Sequence, residues 1–103
     1  MELIEPPQFL YHGTTTDAFE KIVKSSAILK MQRHHVHMQA EFQKAWSSAA
    51  RWKLTPVVLK IDAKEMYQQD YTFGKTENDV WCTEQVPVEF IIEKIYTSRE
   101  NWS

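Results

Sequence analysis

The sequence predicts a small α+β fold built on antiparallel sheets, and three observations carry that expectation. Apolar residues recur with helical spacing in the first half of the chain, whereas alternating or β-branched runs dominate the second. The connections are short, which favours antiparallel pairing over repeated crossover units. The chain has 103 residues, of which 43% are hydrophobic and 13% aromatic, enough for one core and one domain. A single domain over residues 1–103 is expected, with no internal repeat, Gly/Ser linker or long charge run to divide it.

Each element has a local reason. Pro6 and Pro7 mark an extended entry, because the residue before a proline is pushed out of the helical region. Phe9, Leu10, Tyr11 and His12 read as a short strand ending at Gly13. Residues 17–24 read as a helix whose Phe19, Ile22 and Val23 share a face, with Asp17 as cap and Glu20 three residues on. Residues 31–38 form a turn leading into a strand. A second helix fits residues 41–51, with Phe42, Ala45, Trp46 and Ala49 on its apolar stripe. Residues 56–62 are the clearest strand, β-branched with proline at the start. Residues 63–67 make one or two helical turns, and strands over 71–73, 80–83 and 90–96 complete the chain.

Composition excludes several function classes. The net charge of −2 offers no general basic field for nucleic acid, so any such contact must be local. The one cysteine, Cys82, cannot form an intrachain disulfide or a thiolate-rich zinc site, which fits a reducing, cytoplasmic setting. No apolar run approaches the roughly 20 residues of a membrane span. The opening stretch MELIEPPQFLYHG lacks the positive start and apolar core of a signal peptide.

The chemistry-bearing residues fall in a few places. Gly13 is one of only two glycines and lies between His12 and the run Thr14, Thr15, Thr16. A strand, a glycine and then a helix let backbone amides approach an anionic or amide-bearing ligand; a plain turn glycine with capping threonines fits the same pattern. The remaining histidines, His34, His35 and His37, stand beside Arg33. On a strand His35 and His37 share a face and could ligate a metal, but no cysteine or carboxylate lies within the cluster, so no metal is expected. Arg33 clamping a phosphate while a histidine bonds a sugar is one alternative, and a solvated polar edge is another. Arg51, Trp52 and Lys53 close the second helix, either complementing its dipole or meeting a polyanion with Trp52 as a stacking face. Trp46 and Trp81 read as core. Glu77, Asp79 and Glu84 flank a strand, where a carboxylate could stabilise an oxocarbenium ion or simply be solvated.

Four segments, in order, resemble the RNA 2′-phosphotransferases of the KptA type: residues 6–14 (PPQFLYHGT), residues 33–37 (RHHVH), residues 56–66 (PVVLKIDAKEM) and residues 77–83 (ENDVWCT). The resemblance runs from about Pro6 to Ile92. It implies the NAD-binding lobe of an ADP-ribosyltransferase-like fold, with split antiparallel sheets and flanking helices. By the resemblance His12 holds a ribose hydroxyl, the Gly13 backbone grips the nicotinamide carboxamide, and Thr14 lies beside the dinucleotide. Arg33 matches the arginine that assists the phosphate chemistry, and His37 matches the second motif histidine. Val80 belongs to the third motif, next to the cofactor, and His34 and Arg51 fall at substrate-binding positions.

The family reaction has two stages. An internal RNA 2′-phosphate first displaces nicotinamide from NAD; a ribose hydroxyl then displaces the RNA, leaving ADP-ribose cyclic phosphate. Three departures stand out: Asp79 where the family has glycine, Gln39 where it has serine, and alanines at 49 and 50 where a glycine is usual. The Asp79 carboxylate would repel a phosphate nucleophile, favour a hydroxyl one, or act catalytically on the cationic sugar. The family's N-terminal winged-helix lobe is expected to be absent. These features imply an NAD-dependent transferase with RNA as acceptor, through a 2′-phosphate, a terminal phosphate or a hydroxyl. A free-standing lobe would suit a toxin or phage-conflict protein with a partner or immunity protein. The alternatives are a non-catalytic NAD or ADP-ribose binder and a transferase acting on protein.

Overall fold

The computed structural model describes residues 2–30, 34–52 and 54–97. In chain order these form β1 (Glu2–Leu3), β2 (Phe9–Thr15), α1 (Thr16–Ser25), β3 (Ala27–Leu29), β4 (Val36–Met38), α2 (Phe42–Ala50), β5 (Pro56–Asp62), α3 (Ala63–Gln68), β6 (Gly74–Lys75), β7 (Trp81–Thr83), β8 (Gln85–Pro87), a 3-10 turn (Val88–Phe90) and β9 (Ile91–Ile95). The strands assemble into sheets of order β1-β6-β7-β4, β2-β5-β9 and β3-β8, and every pair is antiparallel. The fold is α+β with split antiparallel sheets, as the pattern requires.

The central strand β5 of the three-stranded sheet is buried on both faces, which explains its continuous apolar run. Val57, Leu59 and Ile61 join Leu10, Met66, Phe73 and Trp81 in the main core. Val58 points the other way, into a smaller cluster with Ala45 and Ile95, flanked by Tyr11, Phe42 and Trp46. The stripe on α2 closes this second face, with the Phe42 and Trp46 rings stacked at 6.1 Å. Trp81 is buried, and Trp46 is half-buried.

Several boundaries differ from expectation. The first strand does not stop at Gly13, because Gly13, Thr14 and Thr15 continue the ladder opposite Val58, Val57 and Pro56. The cap of α1 is consequently Thr15, whose Oγ1 accepts a hydrogen bond from the Ala18 amide at 3.2 Å; Asp17 lies inside the first turn. Residues 71–73 are not a strand. Phe73 is nearly fully buried and its carbonyl accepts from the Ile4 amide at 2.9 Å, so pairing begins only at Gly74. Phe90 belongs to the 3-10 turn, and β9 starts at Ile91. The short strands β1, β3 and β8 lie where no strand is expected, because two or three residues carry too little periodicity to register.

Among the described residues, one isolated bridge joins the three-stranded sheet to the four-stranded one. Tyr11 of β2 and Gln39, just past β4, exchange two backbone hydrogen bonds of 2.8 Å each. From this seam β2 turns into the three-stranded sheet and β4 into the four-stranded one.

Candidate functional site

The seam gathers most of the chemistry-bearing residues. In β2, His12 and Leu59 are paired, and the alternation of an antiparallel strand places His12 on the side of Leu10, the side of the main core. Its Nδ1 stands 2.8 Å from the His37 carbonyl oxygen. A carbonyl only accepts, so Nδ1 carries the proton and, in the neutral ring, Nε2 is the acceptor. The HGT strand and the HVH strand are thus locked together through a histidine of fixed tautomer. Within β4, Val36 and Met38 are buried and the His37 side chain is exposed.

Gly13 needs no unusual backbone, since no glycine has positive φ among the described residues. It is required by packing: a Cβ there would collide with the Ala45 carbonyl of α2 and lie 3.2 Å from the Ala49 Cβ. The close approach expected at Gly13 is therefore made by a helix. Its polar groups nevertheless face outward. Tyr11 directs both its N–H and C=O at Gln39, away from β5, and by strand alternation Gly13 directs its own pair to the same edge. Thr14, half-buried, points to the His12 side.

The third motif reaches the seam from the other sheet. Pairing of Met38 with Trp81 brings the preceding turn beside Gln39. Asp79 has φ 63°, in the left-handed region that favours glycine. Its carboxylate lies 3.5 Å from Lys75 Nζ. Gln39, Ala40, Glu41, Lys44, Lys75 and Asp79 line a cleft of about 160 Å³. The Val80 amide donates to Thr76 Oγ1 at 3.2 Å and its carbonyl accepts from the Thr76 amide at 2.9 Å, so Val80 presents its side chain rather than its amide.

Other residues fall elsewhere. Arg51 caps the C-terminus of α2 and its guanidinium reaches Ser48 Oγ at 3.5 Å, consistent with a helix-end role. His34 is exposed just ahead of β4. Arg33 and Lys53 lie outside the described residues. Burial pushes the Cys82 thiol up, away from nucleophilic character. Among the described residues, no group of three or more His, Cys, Asp and Glu is arranged to hold a metal ion, and no helix is long and apolar enough to cross a membrane. Tyr11 and Lys75 were not expected at the site, because a strand tyrosine and a lone lysine carry no motif signal. Gln39 was visible only as a departure from the family pattern.

The split-sheet α+β domain thus joins the HGT and HVH motifs at one seam, from the His12 ring to the His37 carbonyl. The model of the RNA 2′-phosphotransferase, Tpt1/KptA family, matches residues 1–85. The chain belongs to this family. Among curated relatives, a probable RNA 2′-phosphotransferase of Rhizobium rhizogenes is 38% identical over 86 residues, covering 84% of this chain and 46% of the relative. Proteins with the same description from Fusobacterium nucleatum and Pseudomonas fluorescens are each 41% identical, covering 85% and 88% of this chain and 49% of each relative. The chain spans about half the length of the curated relatives it matches.

Proposed function

We propose that the protein is an NAD-dependent ADP-ribosyltransferase that acts on RNA in the manner of its family. The observation that carries this reading is the 2.8 Å bond from His12 Nδ1–H to the His37 carbonyl, which joins two sequence-distant motifs at one seam. The residues there suit NAD. A neutral His12 accepts at Nε2, the chemistry needed to hold a ribose hydroxyl. Gly13 sends one donor and one acceptor to the strand edge, the complement of a carboxamide. Bound NAD supplies an ADP-ribosyl group with nicotinamide as leaving group. Transfer forms a bond from an acceptor oxygen to the ribose anomeric carbon and breaks the bond to nicotinamide. This chain's part is to hold the sugar and exclude competing orientations, with Thr14 and Val80 flanking it. Arg33 and His37 receive the phosphate chemistry, and His34 and Arg51 receive the RNA backbone. Asp79, 3.5 Å from Lys75 Nζ, takes the role of favouring the cationic sugar.

Incubation with radiolabelled NAD and RNA tests the reading. Nuclease-sensitive label and free nicotinamide are expected, both falling at least about 100-fold in His12→Ala, by analogy with loss of an orienting group at a reacting centre. Absence of label on any RNA acceptor, unaltered by His12→Ala or Arg33→Ala, would sink it. A second reading, a binding module without turnover, rests on Asp79, whose carboxylate in the cleft would repel a phosphate nucleophile. It requires NAD binding without nicotinamide release. Cytoplasmic residence and a toxin role belong to the same proposal; toxicity on expression, relieved by His12→Ala, is its expected sign.

A further inference from the structure

Two crossings connect the small sheet β3-β8 to the sheet that holds β4 and β7. Lys30 directly follows β3, His35 directly precedes β4, and Glu84 alone separates β7 from β8. The registers place Glu84 between the pairs Leu29–Gln85 and Val36–Thr83. The Glu84 carboxylate faces a side chain at each of those two strand ends. Its Oε2 accepts a hydrogen bond from Lys30 Nζ at 3.0 Å, at the departure from β3. Its Oε1 lies 4.0 Å from His35 Nε2, at the arrival in β4, an ion pair whenever that ring is protonated. The Lys30 hydrogen bond, with Lys30 and His35 charges adding to it, holds Glu84 below the usual carboxylate range.

We propose that Glu84 is a positioning residue: its carboxylate, bonded to Lys30 at the end of β3, draws His35 at the start of β4 toward the same point and so fixes how His34 and the start of β4 are presented. Through β4 the constraint reaches the His37 carbonyl that orients His12. The functional consequence rests on the seam being the active site; the clamp itself does not.

Glu84→Gln removes the charge and keeps the shape, and is tested with Lys30→Glu and the charge-swapped pair Lys30→Glu/Glu84→Lys. In Glu84→Gln, amide exchange at His34, His35 and Val36 is expected to quicken about 2–5-fold, the scale conveyed by an exposed ion pair. Exchange in α2 stays unchanged. With NAD and a 2′-phosphorylated RNA oligonucleotide, KM for the RNA rises by a similar factor while kcat changes less. The swapped pair recovers these readouts in part, because it rebuilds the bond to residue 30 and not the contact with His35; a general loss of stability would recover nothing. Unchanged exchange in Glu84→Gln, failure of the swapped pair to recover, or an active enzyme with unaltered KM overturns the proposal. Should the wild-type protein turn over no acceptor, the proposed function fails, and exchange alone decides the clamp.

Discussion

Gly13, Thr15 and Asp79 show how single positions constrain this fold. Gly13→Ala drives a methyl group into the Ala45 carbonyl, and a loss of about 1–3 kcal/mol is expected by urea denaturation, typical of an overfilled contact. Thr15→Ala removes the acceptor for the Ala18 amide and should cost about 0.5–2 kcal/mol in the same measurement. Asp79 tolerates its left-handed backbone because a short polar side chain suits that region. Asp79→Gly should therefore be neutral or stabilising by up to about 1 kcal/mol, and Asp79→Val destabilising by a similar amount. Glu84 adds a pH signature. Its folded value is depressed, so its contribution is present above the unfolded carboxylate value of about 4.3 and is lost as pH falls through the folded value. The gap in thermal midpoint between wild type and Glu84→Gln should accordingly be open near neutral pH and close in acid.

At the scale of elements, legibility followed periodicity. The strand β5 is found at its expected bounds because seven residues of β-branched and apolar type give an unmistakable pattern. Helix α2 was equally plain from Phe42, Ala45, Trp46 and Ala49. Strands of two or three residues left no such trace; their pairing depends on partners far along the chain, as Glu2–Leu3 does on Gly74–Lys75. The threonine run after Gly13 hid the end of β2, since β-branched residues suit a strand and also cap a helix. Because β5 packs on both faces, its side chains offer little room for relaxation. Leu59→Ala, at a fully buried position in the main core, should cost about 2–5 kcal/mol by denaturation.

For the whole molecule, the candidate site could be proposed from the sequence as a list of residues but not as an arrangement. His12, Gly13, His37 and Val80 carry motif signals, and the resemblance joined them in order. Nothing in the sequence said that Tyr11 and Gln39 would bond, or that the His37 carbonyl, rather than its ring, would meet His12. Those are products of long-range pairing. The backbone exchange between Tyr11 and Gln39 also fixes arithmetic along β4. Val36 and Met38 face the core and His37 faces out, so inserting one residue between Met38 and Gln39 would leave the joint intact only by rolling the strand over. Two methionine- and valine-sized groups would then face water while an imidazole entered the interior. With β4 only three residues long, a single-residue insertion or deletion in this stretch should be strongly destabilising, read as a lowered urea midpoint.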